Sequence, residues 1–178
     1  MRRISCILLI GFIFMTFNGC QNSGQASMPS QSVNKVENRL VEAVPDESMD
    51  TKSMTKLDEF SYDMDLDGSE ERIELYTTAG RDGKGEMVWD DGQNWLLVVR
   101  DGKKVYPLLS EYVQLGSVYF TVSNNGVGEV SKINVIVSTG AGFNLKTYIF
   151  NKVKGGFVGE TVYSSKDTNF VHTSIPGY

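Results

Sequence analysis

From Leu57 onward, apolar and polar positions alternate in short runs separated by glycine, asparagine and aspartate. Ile73, Leu75 and Thr77 alternate with Glu74, Tyr76 and Thr78, the period-two signature of a half-buried strand. Residues 95–100 and 103–109 flank Asp101-Gly102, a favoured two-residue hairpin turn. Residues 117–123, 132–139, 144–151 and 157–163 supply four more strands. Asn124-Asn125-Gly126, Gly140-Ala141-Gly142 and Lys154-Gly155-Gly156 punctuate them with turn chemistry. The pattern predicts about eight short strands over residues 56–178 and no helix among them. The expected fold is all-β: an antiparallel β-sandwich or partly closed barrel.

The first 55 residues read differently. Met1-Arg2-Arg3 is a short positive segment, and residues 4–17 are almost continuously apolar. That run is too short to cross a bilayer, which takes about 20 residues, and has the length of a secretory signal core. It ends at Phe17-Asn18-Gly19-Cys20. This resembles the lipobox of bacterial lipoproteins, with Phe17 and Asn18 departing from its commonest residues and Gly19-Cys20 fitting it. The resemblance implies a signal peptide over 1–19, removal of that segment, and two acyl chains (palmitate-type) on a lipidated Cys20. Two chains hold a protein stably to a membrane where one does not. Residues 20–55 then form a flexible tether, rich in Ser, Gln, Asn and Gly. Val33, Val36, Leu40, Val41 and Val44 fall at helical spacing, so a short amphipathic helix over 33–44 is expected within it.

Charge narrows the partners. With 17 Lys+Arg against 22 Asp+Glu the chain carries a net charge of -5, poorly suited to a phosphate backbone, so no nucleic acid is expected. The two cysteines, Cys6 and Cys20, lie in the first twenty residues, and removal of the signal leaves no disulfide pair. The one histidine, His172, stands near the polar C-terminus with no base or nucleophile beside it in sequence.

Acidic residues are concentrated in one region: 57–92 holds 12 acidic and 3 basic side chains, whereas 93–178 holds 5 and 8. Within the first region, residues 63–71 read D-x-D-x-D-G-x-x-E. A hard divalent cation such as Ca²⁺ takes six to eight oxygen ligands, and carboxylates at alternate positions of a tight loop converge on one centre. Asp63, Asp65 and Asp67 are the candidate ligands at positions one, three and five. Gly68 permits the turn, Ser69 offers its carbonyl, and Glu71 closes the shell. The residues that follow, 72–76, alternate like a strand, so this is no helical EF-hand. The loop resembles the calcium loops of FG-GAP and VCBS-type repeats. That resemblance covers a dozen residues and implies that Asp63, Asp65, Asp67 and Glu71 bind Ca²⁺ through their side chains.

A second acidic, glycine-rich stretch spans 82–95 and contains both tryptophans. Trp89, Asp90, Asp91 and Trp95 form a candidate ligand lip, aromatic faces beside carboxylates. The plainer reading anchors both indoles in the core beneath a long loop. Taken whole, the chain resembles the small lipoproteins of Gram-positive bacteria, a class with no single activity attached. The expected function is a non-catalytic binding or accessory module, anchored by lipid at the extracytoplasmic face of the cell membrane. Its expected partner is a protein or a cell-wall component. The alternative is an envelope-acting hydrolase that uses acidic residues of the 82–95 loop, such as Asp90 and Asp91, as acid and base.

Overall fold

The computed structural model describes residues 38–126 and 128–165. The signal segment, Cys20, the tether up to residue 37 and His172 lie outside the described residues.

The alternating runs become strands paired antiparallel throughout the described residues. They are β1 (Arg39–Val41), β2 (Val44–Pro45), β3 (Thr55–Tyr62), β4 (Glu71–Thr77), β5 (Gly80–Arg81), β6 (Met87–Val88), β7 (Gly92–Asp101), β8 (Lys104–Gln114), β9 (Gly116–Ser123), β10 (Lys132–Thr139), β11 (Phe143–Asn151) and β12 (Gly156–Ser165). Eight of these have seven residues or more, the number the alternation predicts. One five-stranded sheet has the order β1-β12-β11-β10-β9, and the other the order β2-β8-β7-β4-β3. β5 and β6 form a separate two-stranded ribbon. Neither large sheet closes on itself, so the sandwich alternative holds rather than the barrel.

The two sheets share one core. Ile73, Leu75, Trp95, Leu97, Val99 and Leu109 from the second sheet pack with Val118, Ile133, Val135, Tyr148 and Phe157 from the first. β4 is buried along almost its whole length because both of its faces are covered. Its inward residues enter that core. On the outward face Tyr76, with Leu96, Val98 and Val105, forms a second cluster beneath Val44, Met49 and Met54.

That cover corrects two expectations. Leu40, Val41 and Val44 belong to no helix: Leu40 pairs with Val158, Val41 with Phe157 and Val44 with Val105. A dozen-residue helix is marginal alone. The β-branched valines here find ladder partners and, for Val41, a place in the core. The expected tether also ends sooner, since residues 38–54 belong to the domain. After β2 a 3-10 turn, Asp46–Ser48, is tied to the β7–β8 hairpin by the Asp46 amide donating to the Lys103 carbonyl at 3.1 Å. The hairpin itself turns one residue later than the alternation suggests. Asp101 pairs with Lys104, and Gly102 takes the left-handed conformation at φ 56°.

Candidate metal centre

β3 and β4 are neighbours joined by residues 63–70, and the acidic motif is that connection. The strand ends fix its two ends: Tyr62 pairs with Glu71 in the ladder, which places Glu71 beside the start of the loop. Inside the loop, short polar side chains replace the hydrogen bonds of a ladder. Asp63 accepts from the amide of Asp67 at 3.1 Å and from that of Gly68 at 3.0 Å. Asp67 accepts from the amide of Ser69 at 2.7 Å. Two residues adopt left-handed backbone, Leu66 at φ 59° and Gly68 at φ 94°. The first is uncommon for a branched side chain and marks a tightly specified turn.

This winding gathers three carboxylates. One oxygen each from Asp63, Asp65 and Glu71 lies within 4.8 Å of the others. Glu71 is buried, at 3% exposure, and Asp63 and Asp65 are half-buried. Glu71 accepts from the amide of Met64 at 2.7 Å. Asp65 Oδ1 is shut off from solvent and has no hydrogen-bond partner. A buried carboxylate oxygen left unmatched is costly, and a cation offsets that cost. Both groups respond to the crowding. Burial pushes the Asp65 carboxyl above its ordinary range, and the neighbouring Asp67 charge adds to the effect. Burial likewise raises Glu71, against the Met64 amide and with the charges of Asp65, Asp101 and Asp63. The donor set is all oxygen, which suits hard cations and not thiolate- or imidazole-seeking ones.

Of the five predicted ligands the structure therefore brings three together. Asp67 is exposed and stands outside the cluster, its carboxylate turned to its own loop backbone, and Ser69, expected to offer its carbonyl, is exposed as well. The sequence pattern gave no sign of Met64, the second residue of the loop, which plugs the core at 0% exposure. Alternation fails inside a loop, so a buried methionine between two aspartates is invisible to it.

The tryptophans follow the plainer reading. Trp95 is buried in the core, and partly buried Trp89 stacks on it with centroids 5.8 Å apart and planes 11° from parallel. Asp90 and Asp91 are exposed beside them; Asp90 accepts from the Asp91 amide at 2.8 Å, and its carbonyl accepts from the Gln93 side chain. The stack turns one indole face of each tryptophan toward the other.

A second charged cluster went unread in the sequence. Glu74, buried on the outer face of β4, accepts from the Tyr76 hydroxyl at 2.8 Å and from Arg100 on β7. Arg100 also pairs with Asp46 and reaches Thr51. Residues 46–54 are thus clasped to the sheet by an ion pair as well as by methionines. The clue was weak: an acid between Ile73 and Leu75, which alternation assigns to solvent.

Compared with known proteins, the chain matches no family model, no curated protein and no solved structure.

Proposed function

We propose that this chain is a lipid-anchored lipoprotein of the extracytoplasmic membrane face, with a non-catalytic, Ca²⁺-stabilised β-sandwich as a binding or accessory module. The anchor rests on the order of segments from Met1-Arg2-Arg3 to Gly19-Cys20. The observation that carries the metal is the unmatched buried oxygen of Asp65, held in a cluster with Asp63 and Glu71. Calcium suits this set because it accepts irregular, all-oxygen shells and completes them with water and carbonyls. The site lies where two strands of the sandwich are joined, so its natural role is to hold that connection rather than to act on a substrate. A binding module needs only a rigid scaffold and exposed loops.

The test is a thermal melt of residues 35–178, which take in every described strand. Excess EDTA is compared with about 2 mM Ca²⁺, above the dissociation constants of about 0.1–1 mM usual for extracellular calcium modules. Mass action then gives a stabilisation of roughly 0.6–1.8 kcal/mol, or about 2–7 °C for a domain of this size. An unchanged melt would refute the calcium reading. Release of the full-length protein from membranes by a Cys20→Ser change tests the anchor separately.

A further inference from the structure

The acidic loop already carries a cation of the protein's own. The Lys152 ammonium donates to the Leu66 carbonyl at 3.3 Å, so the turn between β11 and β12 reaches across to the loop between β3 and β4. Leu66 is the left-handed residue between Asp65 and Asp67. The turn does not need this contact for its own shape. It closes through the Gly155 amide on the Asn151 carbonyl at 2.8 Å and the Lys154 amide on the Asn151 side chain at 2.9 Å. Its tip is not packed either, since Val153 is 97% exposed. The Lys152 stem thus sets its ammonium against the backbone between two aspartates of the loop.

We propose that Lys152 is the exchangeable counter-ion of the acidic loop, displaced when Ca²⁺ binds, and that it thereby sets the calcium affinity of the site. This rests on the calcium reading above. A divalent ion about 2.3–2.6 Å from the Asp65 oxygens repels an ammonium held on the adjacent Leu66 carbonyl. Binding must therefore eject one positive charge to admit two. Ejection frees the Leu66 carbonyl, a hard oxygen of the kind calcium prefers, and cuts the link to the β11–β12 turn. The site is weaker than its carboxylates alone would make it, and its affinity depends on salt.

The test is calorimetric titration of Ca²⁺ into the EDTA-stripped full chain at low ionic strength, comparing wild type with K152M, K152R and K154M. Methionine keeps the apolar stem and removes the charge. An exposed charge contact is worth up to about 1 kcal/mol, so K152M is expected to bind about two- to fivefold more tightly. K152R stays near wild type, and K154M, on the same turn without the contact, changes far less. Raising the salt toward 1 M, where the screening length is about 3 Å, should erase the K152M advantage. The exchange is overturned if wild type binds and K152M binds no more tightly, or if K154M gains as much as K152M. Binding by K152M and not by wild type supports it in its strongest form. Silence from both overturns the calcium reading itself, and the exchange with it.

Discussion

The Met64 amide donates to the Glu71 carboxylate at 2.7 Å, while the Met64 side chain is wholly buried in the core. The loop is therefore fixed from both ends of one residue, its backbone by the Glu71 carboxylate and its side chain by the sandwich. Two substitutions separate these holds. Met64→Ala empties a core position and should cost about 2–5 kcal/mol in urea unfolding, with or without metal. Glu71→Gln keeps an acceptor for the amide and removes a charge that burial disfavours. In EDTA it should melt at or above wild type, yet gain nothing from Ca²⁺. A Glu71→Gln protein that still gained the full increment would remove Glu71 from the ligand set.

The structure divides the three aspartates of the loop, and calcium should divide them in the same way. Asp65→Asn removes the charge that burial disfavours and should abolish the calcium-dependent rise in melting temperature without lowering the melt in EDTA. Asp67→Asn retains the oxygen that accepts the Ser69 amide and lies outside the cluster, so most of the rise should survive. Equal losses in the two variants would mean that Asp67 swings in to complete the shell, as the plain spacing of the motif suggests.

These distinctions were only partly legible in the sequence. Period-two alternation located seven of the eight long strands, all but β3, because each has one face against the shared core, and the Gly- and Asn-rich separators placed the turns to within a residue or so. It failed where burial is not one-sided. Glu74 looks solvent-facing in the pattern, yet residues 46–54 cover it and Arg100 neutralises it. The same cover explains the misread helix: Leu40, Val41 and Val44 owe their conformation to β12 and β8, more than a hundred and about sixty residues away in sequence. The acidic loop was legible as a cluster because carboxylates at alternate positions of a short turn cannot avoid one another. Which of them converge depends on backbone dihedrals at Leu66 and Gly68, which composition does not carry.

The two raised carboxyls give the calcium response a pH dependence of definite sign. In the metal-free protein, burial raises Asp65 and Glu71 above their ordinary values of 3.8 and 4.5. The folded chain then holds protons at a pH where the unfolded chain has released them. Metal-free stability thus falls as pH rises from those ordinary values through the raised ones. Calcium requires the ionised forms, so its contribution grows over the same window. The difference between melts in Ca²⁺ and in a chelator should be larger near pH 7.5 than near pH 5, and it should shrink mainly because the metal-free melt improves. A gap that stays constant between those two conditions would contradict the cluster's burial.

The Glu74–Arg100 pair predicts a loss of stability that no metal repairs. Both side chains are nearly enclosed, with the Arg100 side chain 10% exposed and that of Glu74 3%. The other cations near Glu74, Lys56 at 3.6 Å and Arg72 at 3.9 Å, are about half in solvent and reach the other carboxylate oxygen, so they replace Arg100 only in part. Arg100→Met should therefore strand a buried carboxylate and cost about 3–5 kcal/mol in urea unfolding. It also removes the partner of Asp46 and Thr51. Residues 46–54 should then loosen from the Tyr76, Leu96, Val98 and Val105 cluster, which would show as faster protease cleavage within 46–54. Adding Glu74→Gln to Arg100→Met should recover part of the stability, because the stranded charge is gone, but little of the protection, because the clasp is still missing. Full recovery of both would make the methionines, rather than the ion pair, the fastening of this segment. A loss below about 1 kcal/mol in the single variant, no more than an exposed pair contributes, would mean that Lys56 and Arg72 neutralise Glu74 in place of Arg100.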